Sequence, residues 1–195
     1  MGAKAVAGPS ARERLLAAAN ELFYDEGVHT VGIDRVIERA GVAKASLYNT
    51  FGSKDELVRA YLEGRHAASA ARIARHLERY SDPRDRLLSV FEAQGELFAE
   101  PGFRGCAFAS ASAESPGEGV SRASDEYRGW LRGLLAGLAR EAGAPDPGKL
   151  ARQLHMIYDG ALLSARMDRD PSAALAARAA AGALLDAAVA ERRDG

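Results

Sequence analysis

Cysteine is almost missing from this chain: Cys106 stands alone among 195 residues. A single thiol excludes any intramolecular disulfide framework, and no charged segment followed by an apolar one opens the sequence, so a reducing cytoplasm is the expected setting. Charge of one sign is lacking too. Lys plus Arg number 26 against 27 Asp plus Glu, which removes the global basic excess that would announce a nucleic-acid or membrane partner. Any DNA-binding face must therefore be local. No apolar run reaches the ~20 residues that span a bilayer, so no membrane partner is expected.

Catalytic hardware is also lacking. There is no glycine loop to cradle phosphate, no nucleophile elbow, no Cys or His spacing for zinc and no His-Glu pair at metal-binding distance. His29, His66, His76 and His155 lie far apart in sequence. The expectation is a protein that is no enzyme and needs neither metal nor cofactor.

Alanine and helical periodicity are abundant, alternating strand patterns are scarce, and most Gly and Pro residues fall where helices would end. These features predict an all-α fold. Ser10 and Glu13 form a capping box for a first helix running to about Gly27, with Leu15, Leu16, Ala19, Leu22 and Phe23 on one stripe. Thr30 is the expected N-cap of a short second helix carrying Ile33, Val36, Ile37 and Ala40, and Gly41 its left-handed C-cap. A third helix is expected over about Ala43 to Thr50. Ser53 and Glu56 make a second capping box, opening a helix that extends toward Tyr80.

Further along, Asp82-Pro83 starts a helix bearing Leu87, Leu88, Phe91 and Phe98. A short piece near Cys106 to Ala113 and a loop over Ser115 to Gly119 come next. Tyr127, Trp130, Leu131, Leu134, Leu135 and Leu138 then mark a strongly amphipathic helix that closes near Gly143. The last two helices are expected over Lys149 to Met167 and Pro171 to Arg192. Eleven of the 18 residues from Ala173 to Ala190 are alanine, which would let another helix approach closely or simply make an ordinary helix.

Two short helices joined at Gly41-Val42 have the dimensions of a helix-turn-helix. Val36, Ile37, Val42 and Leu47 would pack them together, leaving Lys44, Ala45, Ser46, Tyr48 and Asn49 mostly outward. Lys and hydroxyl groups suit phosphates, Asn suits a base edge, and an Ala methyl suits thymine. Spacing alone fits any helical hairpin, but the residues add more. Thr30-x-Gly32-Ile33-Asp34-Arg35-Val36-Ile37, Gly41-Val42-Ala43-Lys44-Ala45-Ser46-Leu47-Tyr48 and Phe51-Gly52-Ser53-Lys54-Asp55-Glu56-Leu57 together resemble the signature of the TetR family of transcriptional regulators.

The resemblance covers the N-terminal ~60 residues and implies about nine helices: a three-helix DNA-binding head and a larger ligand-binding, dimerising body. It implies an arm at residues 1–9, a head at 10–53 and a body at 54–195. Thr30, Tyr48 and Lys54 occupy positions where family members touch phosphates. Lys44, Ala45, Ser46 and Asn49 occupy positions that meet bases or backbone. Thr50 departs from the pattern, standing where many members carry His, so a backbone contact there is weakened or passes to the hydroxyl. From Met1 to Lys54 the head carries seven cationic and six acidic residues, so placement must do what bulk charge does not.

For the chain as a whole the implied partners are double-stranded operator DNA, a second copy of the chain and a small-molecule effector. Phe91, Phe98, Phe108, Trp130, Met156 and Tyr158 could line an apolar pocket, with His155 as a polar contact, or all could be core. Cys106 reads as a small buried hydrophobe or an oxidant sensor. The last two helices are the expected dimer interface, with Leu184 or Leu185 the place where a charge should split it. The rival reading is a helical ligand- or partner-binding protein whose DNA head no longer functions.

Overall fold

The computed structural model describes residues 8–191, and among these the chain forms nine helices and no strand. Most of the expected 1–9 arm, and the expected helix end at Arg192, lie outside the described residues. Residues 1–64 with 107–123 make one compact unit, and residues 65–106 with 124–195 make another.

In the first unit, α1 (Ala11–Glu26) begins with the expected capping box: Ser10 Oγ accepts from the Glu13 amide at 3.2 Å, and Glu13 Oε2 accepts from the Ser10 amide at 2.7 Å. Leu15, Ala18, Ala19, Leu22 and Phe23 are its buried face. Phe23 meets Tyr61 edge-on, ring centroids 5.7 Å apart. Helix α1 packs on α2 (Ile33–Ala40) and α3 (Lys44–Phe51), which also pack on each other. Val36, Ala40 and Leu47 fill the space between them.

One expectation fails at the start of α2. Thr30 lies in the preceding turn, and the N-cap is Gly32, which makes no side-chain capping bond. Val31, the residue between them, is fully buried, and the cap falls two residues later than the Thr30 hydroxyl suggested. The unit also contains α6 (Ala107–Glu114). Glu114 Oε2 accepts from the His29 amide at 3.2 Å.

Helix α4 (Lys54–Leu77) begins where Ser53 Oγ accepts from the Glu56 amide at 3.1 Å. It runs from the first unit into the second. Helix α7 (Glu118–Glu141) also crosses by chain continuity, and starts well before its aromatic stripe. Here the loop expected through Gly119 is corrected: Glu118 and Gly119 are helical, and Val120 and Ala123 are buried.

The second unit is built around α5 (Pro83–Phe98), capped by Asp82, whose carboxylate accepts from the Arg84 and Asp85 amides. Leu87, Leu88, Val90, Phe91 and Ala93 are all buried, so this helix is apolar around most of its circumference. Helices α8 (Pro147–Asp168) and α9 (Ala173–Glu191) pack on it and on each other. The alanine run allows that closeness. Ala174, Ala177 and Ala181 are buried, and a Cβ on Gly95 of α5 would sit 3.3 Å from the Ala174 methyl.

By length and composition the stretch Ala173–Ala190 could cross a membrane, so apolar length alone does not exclude one as the sequence reading held. Its two charges are both engaged with α5, Arg178 with Glu92 at 2.9 Å and Asp186 with Arg84 at 2.7 Å. Asp170 caps the turn before α9, accepting from the Ser172 amide at 2.8 Å, so Pro171 and Ser172 precede the helix rather than open it.

Candidate nucleic-acid interface

The turn between α2 and α3 depends on Gly41, whose φ of 62° and ψ of 43° are left-handed. Its amide donates back to Glu38 and Ile37, closing α2 within one residue and letting α3 start at Lys44. Leu47 is the one fully buried residue of α3. Because that anchor fixes the helix face, Lys44, Ala45, Tyr48, Asn49 and Thr50 are exposed, and Ser46 is half-buried. Tyr48 keeps 46% of its surface in solvent, which for a large aromatic at the centre of a short helix marks an unpartnered ring.

Ion pairs take up several of the few cations of this nearly neutral head. Arg35 and Arg39 of α2 reach back to Glu26 and Glu21 of α1, Arg39 at 2.7 Å. These two guanidiniums clamp α2 to α1. Lys44 lies 2.8 Å from Asp34, which raises the lysine pKa and keeps it charged. Lys54 has no ion-pair partner among the described residues and is half-buried at the first turn of α4. Arg12 lies over the Phe51 ring at 5.7 Å, and Arg14 donates to the Gly41 carbonyl at 3.1 Å, bracing the turn from α1.

The sequence alone could not have shown these pairings, since each joins residues on different helices. Thr50 has a different fate from the one expected. Its hydroxyl donates to the Ser46 carbonyl at 2.6 Å, one turn back, so that proton is unavailable to a phosphate. Thr30 is exposed in the turn before α2.

The residues offered for a ligand pocket divide between the two compact units and differ in exposure. Phe91 is fully buried against Tyr158, centroids 6.3 Å apart, and Phe98 meets Phe103 in a tilted contact at 5.0 Å. Phe108 is buried in α6 of the first unit. Trp130 is half-buried against His66, centroids 4.8 Å apart. His155 is buried, whereas Met156 is 75% exposed.

A polar centre that the pattern did not reveal lies beside Tyr158. The Tyr158 and Tyr127 hydroxyls share a hydrogen bond, and Ser69 joins Tyr127. Burial pushes the Tyr158 pKa up to about 12 and raises that of Tyr127 well above the ordinary phenol value, so both remain phenols. Half-buried Cys106 is close enough to both to raise their pKa. Gln94 donates to the Tyr158 carbonyl at 2.9 Å, while its own carbonyl oxygen is buried with no hydrogen-bond partner.

A short helix fixed by a glycine turn, with an outward tyrosine, asparagine and lysine beside a helix start carrying a second lysine, defines a helix-turn-helix DNA-binding protein. Residues 15–61 match the family described as bacterial regulatory proteins, tetR family. A solved TetR-family transcriptional regulator from Streptomyces coelicolor is 32% identical, covering 92% of this chain and 96% of its own, with a TM-score of 0.86. The reduced form of Escherichia coli NemR superposes with a TM-score of 0.78 over 88% of this chain and 94% of its own, at 27% identity. NemR is named a transcriptional repressor. The transcriptional activator FasR of Mycolicibacterium smegmatis is 40% identical over 82 residues, 42% of this chain and only 37% of FasR. The chain belongs to the TetR family of DNA-binding transcriptional regulators.

Proposed function

We propose that this regulator binds a pseudo-palindromic operator as a homodimer, represses transcription, and is released by a small-molecule effector, acting in the cytoplasm where the DNA is. The observation that carries the DNA reading is the outward set Lys44, Ala45, Tyr48 and Asn49 on a helix whose opposite side is locked by Leu47. Asn49 and Ala45 are assigned to base edges. Tyr48 and Lys54 are assigned to phosphates, with Thr30, Lys44 and Ser46 at the edges of the contact.

The dimer reading is supported by an apolar stripe that the second unit leaves in solvent. Leu163 and Met167 on α8 and Leu175 on α9 are 62 to 72% exposed. Large apolar residues exposed at helical spacing mark an interaction surface. Effector binding is supported by the unpartnered Gln94 carbonyl, because a buried acceptor without a donor is costly and a ligand N–H or O–H would satisfy it. Phe91 and Tyr158 beside it would meet an aromatic or alicyclic body. Repression follows the name given to NemR; FasR is named an activator.

A mobility-shift assay with the DNA flanking the protein's own gene tests the reading. A sequence-specific shift that competitor DNA does not erase is expected. The second reading, a partner-binding protein with a silent head, is favoured by the pairing of Arg35, Arg39 and Lys44 with acids, and it predicts no specific shift at any salt concentration. Effector action has its own test. Coupling is reciprocal, so a compound that weakens operator binding must itself bind less tightly, by the same factor, when operator is present.

A further inference from the structure

Three arginines gather between α7 and α8 in the second unit. There the two helices frame a groove of about 590 Å³, within the range of small-molecule sites. Gly133, Ala136 and Ala151 give it a small, apolar floor. Arg128, Arg132 and Arg152 stand around it, all exposed. Of these, Arg128 is compensated by Asp159 at 2.8 Å. Among the described residues Arg132 and Arg152 are in no ion pair. Two uncompensated guanidiniums therefore face one crease.

His155 also lines the groove. It is buried, its Nε2 has no hydrogen-bond partner, and Asp159 Oδ1 is 3.6 Å away, too long for a good hydrogen bond. Burial lowers its pKa against the opposing pull of the Asp159 carboxylate, with Arg128 and Arg132 adding to the lowering, so the neutral ring is favoured. The groove thus combines an apolar floor, two free planar cations suited to bidentate oxyanion binding, and an imidazole nitrogen lacking a partner.

We propose that the α7–α8 groove binds an amphiphilic anion, in which one carboxylate or phosphate head meets Arg132 and Arg152 and a short apolar body lies over Gly133, Ala136 and Ala151. This site is separate from the Gln94 acceptor and does not rest on the operator reading. A purely apolar ligand would leave the guanidiniums unused, and a bare inorganic anion would leave the floor wet. Each half of the groove calls for one half of the ligand.

The test uses the full chain and four probes: octanoate, octyl phosphate, octanol and inorganic phosphate, all below micelle-forming concentrations, with binding followed by calorimetry and by the NMR signal of the Met156 methyl. At least one of the two amphiphilic anions should bind ten times or more tighter than octanol and inorganic phosphate, and the preferred head identifies the source chemistry. R132Q/R152Q should lower that affinity at least tenfold. Gly133→Leu should abolish it, because a Cβ there meets open space and the longer side chain plugs the floor without disturbing the helix. Retained thermal unfolding in both variants separates loss of the site from loss of the fold. Equal binding of octanol, equal binding of inorganic phosphate (an adventitious ion only), affinity untouched by the variants, or no binding by any probe would each overturn the proposal. So would a Gly133→Leu chain that turns monomeric while the wild type ignores every anion, since the groove would then hold a second copy of the chain.

Discussion

At the scale of single residues, the exposed face of α3 separates into groups that position and groups that specify. Tyr48→Ala and Lys54→Ala should each weaken binding to every DNA sequence, whereas Asn49→Ala should change base preference, at about 1 to 3 kcal/mol of lost discrimination. Binding to a randomised operator library followed by sequencing checks both effects together, and an unchanged library profile for all three would remove α3 from the recognition role. Gly27 is a second residue with a clear expectation. Its φ of 93° and ψ of 149° lie where side chains are strained, and an added Cβ would stand 2.4 Å from Glu114 Oε2. Gly27→Ala should cost about 1 to 3 kcal/mol by denaturant unfolding. The Glu114 carboxylate can swing aside, so backbone strain supplies most of that loss.

Glu96 gives a pH-dependent case. Its hydrogen bond to His76 at 2.9 Å, with Arg75 nearby, lowers its pKa below the ordinary carboxylate range. A carboxylate with a depressed folded pKa contributes stability that is fully present above its unfolded pKa and is lost as pH falls through the folded one. The Tm advantage of wild type over Glu96→Gln should accordingly shrink as pH falls below about 4.3, the unperturbed glutamate value. A constant advantage across that range would assign the effect to packing.

Elements were legible in the sequence where periodicity and caps agreed. The Ser10 to Glu13 box, Gly41 as a left-handed cap, and Asp82-Pro83 all appear in the structure as read. The start of α7 was not legible, because Gly117-Glu118-Gly119 has loop composition and its first apolar anchors, Val120 and Ala123, are small. Gly119 is helical where a Cβ would come within 3.8 Å of the Asp55 carbonyl. That ordinary van der Waals contact belongs to packing and leaves no local mark in the sequence. Half of the recognition site was visible for a similar reason: which α3 residues point outward follows from Leu47, but which cations are already paired depends on contacts between helices.

The same distinction corrects the dimer test at α9. Leu185 is 1% exposed within its own chain, and Leu184 is half-buried. A charge at Leu185 should unfold the protein. Leu163→Asp or Met167→Asp, at positions 62% and 72% exposed, should yield a folded monomer in light scattering with the wild-type circular dichroism spectrum. Persistent dimers in both variants would move the interface away from this stripe.

For the whole molecule, dimerisation and operator recognition should be one equilibrium. A single head spans one half-site, and the second head in a dimer binds at an effective concentration set by its tether, which for a short connection is in the millimolar range. The gain over a lone head is about 10² to 10⁴ in affinity and requires no new contact with DNA. Leu163→Asp leaves every α3 residue intact. It should nonetheless lower full-operator affinity by that factor, while its affinity for an isolated half-site duplex should equal that of the wild type. Inserting half a helical turn, about 5 base pairs, between the half-sites should reproduce the same loss with wild-type protein, because two heads joined by a two-fold axis then face opposite sides of the duplex. Measuring the monomeric variant on the full site and the wild type on the lengthened site gives two routes to one number. If they disagree by more than about tenfold, the heads do not act as a rigid pair, and the operator affinity has a source other than the two-fold arrangement.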